Sequence, residues 1–171
     1  KVIAALEEQS VPCDILIVNN ASTDDTESWA LEHAASIPSD APFHFLYENT
    51  GANLGGAGGF NYGMRRSVEL GYDLVWIMDD DAIAQPNALE ELLAENNRLQ
   101  DQNKSYGFLA SVVYWTDGSL CEMNRQRTHT HYLLLEDVQK ALTNNTLIPI
   151  ETATFVSLLI PSDTIRKVGL P

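Results

Sequence analysis

The run Leu74-Val75-Trp76-Ile77-Met78 constrains the fold more than any other stretch of this chain. Five apolar residues in succession, with no polar alternation, need cover on both faces. A strand gets that cover inside a sheet flanked by helices. Three carboxylates, Asp79-Asp80-Asp81, follow without a spacer. Adjacent carboxylates repel unless a cation lies among them, and the carboxyl end of a strand in an open α/β sheet is where ligands bind. Hard oxygen donors suit Mg²⁺ or Mn²⁺, which commonly take one or two carboxylates together with substrate phosphates. The plainer alternative is a solvated acidic turn ahead of the helix that Pro86 opens. The buried strand directly before the aspartates weighs against it.

The remaining pattern alternates short apolar runs with longer amphipathic ones. Ile15-Leu16-Ile17-Val18 and residues 43–47, 108–115 and 154–160 read as strands. Helices are expected at Val2, Ile3 and Leu6 before Pro12, from Ser22 to about Ser36, and from the glycine-rich stretch 51–59 to Gly71. Another places Leu89, Leu92, Leu93 and Leu99 on one face, and a short one precedes Gly169. Residues 124–145 read as part loop and part helix. Strands alternating with helices predict an α/β sandwich with a largely parallel sheet. Trp76, Tyr114, Trp115 and Phe155 fall inside strand patterns and are expected in the core.

Composition narrows the functional classes. With 10 Lys+Arg against 24 Asp+Glu, the formal charge is −14. That sign is wrong for general nucleic-acid or anionic-membrane binding. No apolar run approaches the roughly 18 residues of a membrane helix. Two cysteines, Cys13 and Cys121, make neither a disulfide scaffold nor a metal knuckle and read as reduced and structural. Opening on Lys1 within a helical pattern and closing on Gly169-Leu170-Pro171, the 171 residues read as one domain cut from something longer.

Two further segments carry polar or conformational signals. Asn53-Leu54-Gly55-Gly56-Ala57-Gly58-Gly59-Phe60-Asn61 runs into a helix, so its backbone can approach a ligand closely and its amides can face negative charge. It is no dinucleotide fingerprint, because Asn61 stands where the third glycine belongs, and no Gly-Lys-Ser/Thr follows as a P-loop requires. Val18-Asn19-Asn20-Ala21-Ser22-Thr23-Asp24-Asp25 is a strand end rolling into a helix cap; alone it is ordinary turn chemistry.

Together, in this order, the three segments resemble the inverting sugar-nucleotide glycosyltransferases of family 2, which have the GT-A fold. The wording of Asn53 to Phe60 and of Ile77 to Asp81 is most similar to the galactofuranosyltransferase and rhamnosyltransferase-like branch. The resemblance implies an αβα sandwich, a nucleoside-diphosphate sugar as donor (UDP- or dTDP-linked, with galactofuranose or rhamnose as candidate sugars) and a carbohydrate acceptor. It implies cell-surface polysaccharide synthesis by a cytoplasmic protein, free or at the inner face of the membrane. By the same resemblance Asn19 and Asn20 contact base and ribose, while Asn53, Gly55 and Gly56 line the nucleotide pocket. Asp79 and Asp81 hold Mn²⁺ or Mg²⁺ on the diphosphate, with Asp80 toward ribose or donor sugar. Two departures stand out. Relatives commonly carry Asp where Asn19 stands, and their general base lies on a segment after a Gly-Leu-Pro-like stretch, beyond Pro171. Relatives also have a first strand ahead of the helix at Val2. Glu151 and Asp163 match no family base position, and His129 and His131 read as solvated loop residues rather than metal ligands.

Two rivals use the same carboxylates. A haloacid-dehalogenase-type phosphotransferase would use Asp79 as nucleophile and Asp81 as acid/base, although Ile83 replaces the usual Thr or Val. A nucleotidyltransferase would want a basic glycine loop after the first strand. A sugar-nucleotide-binding module without turnover is the non-enzymatic reading.

Overall fold

The computed structural model describes residues 1–170; Pro171 lies outside the described residues. The chain runs α1 (Val2–Glu7), β1 (Ile15–Asn19), α2 (Thr26–Ser36), β2 (Phe45–Asn49), α3 (Gly55–Glu69), β3 (Leu74–Met78), α4 (Ala88–Asp101) and β4 (Leu109–Ala110). A short 3₁₀ turn (Glu122–Asn124), α5 (Leu135–Asn144), β5 (Ser157–Pro161) and α6 (Ser162–Val168) complete it. β1 and β2 form a parallel pair, with Ile15 opposite Phe45 and Asn19 opposite Asn49. The other three strands form a separate sheet in the order β3-β5-β4.

β5 organises the core because both its faces are covered. Leu158 and Ile160 pack with Val75, Ile77, Met64 and Ile165 on the α3/α6 side. Leu159, only 1% exposed, packs with Leu89, Leu92, Leu99 and Leu109 on the α4 side. Side chains alternate along the strand, so its two faces meet different helices. α3 forms although its first turn is mostly glycine, which has poor helix propensity. Tertiary packing holds it: Met64 is buried, the Phe60 ring meets Phe155 edge-on at 4.9 Å, and Gly63 rides on β1. A Cβ at Gly63 would stand 3.3 Å from Val18 Cγ2.

The sheet departs from the sequence reading. β5 runs antiparallel to both β3 and β4, so only β1 and β2 are parallel. Parallel neighbours need a crossover connection, whereas β5 is reached through the long excursion 111–156 and returns against its neighbours. The strand expected over 108–115 shrinks to two residues. Beyond Ser111 the chain folds into a hairpin-like turn, with Tyr114 bridged to Leu120 and Trp115 N–H bonded to Ser119 O at 2.8 Å. Tyr114 and Trp115, expected in the core, are 44% and 50% exposed on that turn. Trp76 and Phe155 do pack against the core clusters. The helix expected from Ser22 starts at Thr26, where Asp24 Oδ1 accepts bonds from Thr26 N (3.1 Å) and Oγ1 (2.6 Å). Cys13 and Cys121 are free thiols; burial, then the Asp14 carboxylate, pushes the Cys13 pKa up. Among the described residues no helix is long and apolar enough to cross a membrane.

Candidate functional site

The carboxyl ends of β1 and β3 and the amino end of α3 meet on one side of the molecule, and each brings a different chemistry. At β1, Asn20 ties strand to glycine turn. Its Oδ1 accepts the Leu54 N–H at 2.9 Å, and its Nδ2 donates to Gly55 O at 3.0 Å and to Asn53 Oδ1 at 3.4 Å. Asn53 Oδ1 also accepts the Gly55 N–H at 2.9 Å. Thr50 reinforces the latch, donating to Ala52 O at 2.8 Å and to Asn19 O at 3.2 Å. The result is a turn preset by side-chain amides, with Gly55 at φ +73° and no atom within 4 Å of a Cβ added at Gly55 or Gly56. Space beside Gly55 and Gly56 lets a ligand approach the start of a 15-residue helix, whose positive end suits an anion, while the Leu54 and Gly55 N–H groups are themselves taken by Asn20 and Asn53.

Asn19 does something else. It is 3% exposed, its Oδ1 accepts the Ser22 N–H at 2.8 Å, and its Nδ2 donates to the Tyr47 hydroxyl at 2.8 Å. Its Oδ1 holds the turn in which Ala21 takes φ +58°, and its Nδ2 ties the end of β1 to Tyr47 on β2. Asn19 lines neither of the two cavities described below.

At β3, Asp79 is half-buried while Asp80 and Asp81 are exposed. Burial, followed by the charges of Asp81 and Asp80, raises the Asp79 pKa above the ordinary carboxylate value. No ion pair among the described residues involves any of the three. The donor set is hard, anionic and uncompensated. No three His, Cys, Asp or Glu side chains among the described residues are grouped to hold a metal by themselves. A pair of carboxylates that leaves other positions to phosphate oxygens fits Mg²⁺ or Mn²⁺.

A cavity of about 670 Å³ takes in Asn20, Gly56, Asp79 and Asp80. A neighbouring one of about 410 Å³ is lined by Asp80, Asp81, Trp29 and Lys1. The expected residues thus converge in part. Asn53 and Gly55 join through their bonds to Asn20, and Asp81 borders the second cavity. Two contributors had no sequence signal strong enough to single them out. Trp29 is exposed at the rim of both cavities, its ring stacked on His33 at 5.1 Å. Gln9, 7% exposed, fastens the segment that follows the aspartates: its Nε2 donates to Gln85 O at 2.8 Å and its Oε1 accepts the Leu89 N–H at 3.0 Å. A lone Gln after a short helix looks like any surface residue.

The remaining candidates lie elsewhere. His129 bonds Glu151 at 2.7 Å and His131 bonds Asp137 at 3.0 Å, both histidines being exposed. Asp163 pairs with Arg166 at 2.8 Å on α6. Neither Glu151 nor Asp163 lines either cavity.

The profile of glycosyl transferase family 2 matches residues 1–157. An undecaprenyl-phosphate mannosyltransferase from Micrococcus luteus is 43% identical over 80 residues, which cover 47% of this chain and 31% of that protein. The galactofuranosyltransferase GlfT1 of Mycobacterium tuberculosis is 34% identical over 85 residues, 49% of this chain and 26% of its own. Its counterpart in Mycolicibacterium smegmatis is 33% identical over 78 residues, 46% of this chain and 23% of its own. These matches span no more than a third of the relatives' length, and no solved structure matches the chain. The match sets aside the phosphotransferase and nucleotidyltransferase readings. The chain belongs to glycosyl transferase family 2.

Proposed function

We propose that this chain carries the donor-binding part of a metal-dependent, inverting glycosyltransferase of the GT-A fold, acting on a UDP- or dTDP-sugar and serving polysaccharide synthesis. The observation that carries the reading is the convergence of the Asn20-latched α3 turn with Asp79 and Asp80 on one cavity. Helix amides and asparagine side chains suit a nucleotide and its phosphates, while the carboxylates repel a bare diphosphate. The two halves are compatible only when a cation joins them. Asp79 and Asp81 are the residues that would hold Mn²⁺ or Mg²⁺, which when bound would neutralise charge on the departing diphosphate.

In the reaction proposed, the acceptor hydroxyl oxygen forms a bond to the anomeric carbon as the bond to the diphosphate oxygen breaks on the opposite face. The hydroxyl proton passes to a general base. Asn20 sets the turn that receives the nucleotide, and the α3 amides orient the phosphates. Glu151 and Asp163 are not offered as the base, since neither faces the cavity. Galactofuranose, rhamnose and, from the Micrococcus relative, mannose are the donor sugars to compare.

The test is thermal: UDP or dTDP is added to the chain with Mn²⁺, with Mg²⁺, or with EDTA. At about 100 times Kd a ligand adds roughly 2.7 kcal/mol, and each kcal/mol is worth about 2–4 °C in a domain of this size. Stabilisation is expected only with metal, and Asp81→Ala is expected to abolish it. An equal shift in EDTA refutes the metal role. Binding by a full-length protein that transfers sugar to no carbohydrate acceptor would favour the binding-module reading.

A further inference from the structure

The chain holds six arginines among its 24 Asp and Glu, and five of the six have a partner. Arg66 pairs with Glu48, Arg98 with Glu95 at 2.7 Å, Arg127 with Glu151 at 4.0 Å and Arg166 with Asp163 at 2.8 Å. Arg65 lies 5.5 Å over the Tyr62 ring. Arg125 is different. It is half-buried, its Nε is closed off from solvent without an acceptor, and its guanidinium joins no ion pair among the described residues. Withdrawing part of a cation from water with nothing in exchange is costly. A chain so rich in carboxylates has placed none beside this one.

The backbone on either side of Arg125 is pinned. Asn124 Nδ2 donates to Cys121 Sγ at 3.4 Å. Gln126, only 5% exposed, donates from Nε2 to Ser111 O at 2.6 Å, and its own carbonyl accepts the Leu133 N–H at 2.9 Å. The Arg127 N–H bonds to Thr152 O at 3.0 Å. Two of these ties lead to the site already described. Ser157 Oγ donates to Ser111 Oγ at 2.9 Å, and Ser157 stands opposite Met78, the residue before Asp79. Beyond Thr152, the Phe155 ring meets Phe60, which lines the larger cavity. Arg125 is therefore anchored beside the carboxyl end of β3, on its β5 and β4 flank. The Asn20 turn belongs to β1 and α3, and β1 lies in the other sheet. Arg125 lines neither cavity, so what it offers lies outside the space assigned to the donor.

We propose that Arg125 is the seat of an oxyanion, a phosphate or carboxylate group carried by the acceptor. Naming the bearer as the acceptor rests on the glycosyl-transfer reading; the anion site itself does not. A guanidinium is a planar fork whose Nε and one terminal nitrogen grip two oxygens of such a group side by side. Closing on an anion gives Nε the acceptor it lacks, and the half-buried side chain keeps a face open to the incoming group. Because its neighbours are already pinned, binding orders little backbone. A net charge of −14 repels an anionic molecule at long range. One unpaired cation on such a surface then decides where the anionic group rests and which way the molecule points. The donor diphosphate is not the occupant, since its charge is met by the metal and by the α3 turn on the other flank.

The test follows the arginine Nε–H signals of the chain by NMR. Inorganic phosphate, methyl phosphate or acetate is added at constant ionic strength, without metal or nucleotide, and Arg125→Lys identifies the Arg125 signal by its loss. That signal alone is expected to shift saturably, with half-saturation on the order of 1 mM. Arg125→Gln is expected to weaken the anion by at least about ten-fold, as the loss of a hydrogen bond to a charged group does, and to leave the thermal shift with UDP and Mg²⁺ unchanged. Adding UDP and Mg²⁺ is expected to change the phosphate affinity by no more than about two-fold, as for separate sites. Whichever anion binds more tightly tells whether the acceptor's group is phosphate or carboxylate. Phosphate binding at Arg125 in a chain without metal-dependent nucleotide binding sustains the anion site and refutes the donor reading instead. No saturable shift, or an equal one with chloride, overturns the proposal. So does competition from UDP and Mg²⁺, which would make the donor diphosphate the occupant. A change in the Arg125 signal caused by Asp79→Asn or Asp81→Ala without added anion would make an aspartate of the chain its partner, and overturns it as well.

Discussion

Replacing Gln9 by Leu removes the fastening that holds the segment after the aspartates to the rest of the domain. Gln9 is 7% exposed and its amide makes three bonds: to Ala5 O at 2.9 Å, to Gln85 O at 2.8 Å and from Leu89 N at 3.0 Å. Leu89 stands in the first turn of α4, where backbone N–H groups have no partner within the helix. Leu89 itself is 5% exposed, so water does not readily replace the lost acceptor. A buried donor left unsatisfied costs about 1–3 kcal/mol, and each ordinary hydrogen bond contributes about 0.5–1.5 kcal/mol net. The two carbonyls lie nearer solvent and regain part of theirs. A loss of about 2–4 kcal/mol is therefore expected, seen as a fall in Tm on the order of 5–15 °C. Urea unfolding with an unchanged slope is the assay, because a lower midpoint at constant slope reports stability alone. Ser10→Ala is the control. It removes the exposed bond to Glu90 at 2.7 Å from the adjacent residue and is expected to change stability by no more than about 0.5 kcal/mol. A Gln9→Leu loss below about 0.5 kcal/mol, or one matched by Ser10→Ala, refutes the reasoning.

Three other outcomes are expected. Burial and the 2.5 Å bond to Asp14 push the Tyr72 pKa up to about 12, so the pair stabilises fully below about pH 10 and loses that contribution as pH rises toward 12; Tm against pH should drop less steeply there in Tyr72→Phe. At the acid end, burial alone would raise the Asp14 pKa, but bonds from Tyr72 and His44 outweigh it and lower it, so its stabilisation is present above the ordinary Asp value and fades as pH falls through the depressed one; Asp14→Asn should flatten that limb. Gly58→Ala should destabilise, since its Cβ would meet Leu54 Cβ at 2.5 Å, whereas Gly56→Ala meets nothing within 4 Å and should gain about 0.5–1 kcal/mol by helix propensity, both read by urea unfolding.

The sequence by itself determined what depends on neighbours along the chain. β3 occupies the five residues its unbroken apolar run marks, because a run needing cover on both faces has one good solution in an α/β layer. α3 ends just before Gly71, which takes φ +89° as a glycine after a helix does. The asparagines and the glycine turn were legible as separate segments, and family order joined them. Tertiary structure alone decided the rest. Period-two patterning buries Leu158 and Leu159 on opposite faces in either strand direction, so it could not say that β5 runs antiparallel; the path through 111–156 did. Tyr114 and Trp115 carry a strand-like signal, yet no partner strand reaches them and they stay exposed. Asn19 and Asn20 are chemically identical neighbours. Which amide is spent holding a turn and which latches the glycine loop depends on Tyr47, Ser22 and Leu54 arriving from other parts of the chain. Local pattern records what each residue prefers, and only packing determines which partners are within a hydrogen bond's reach.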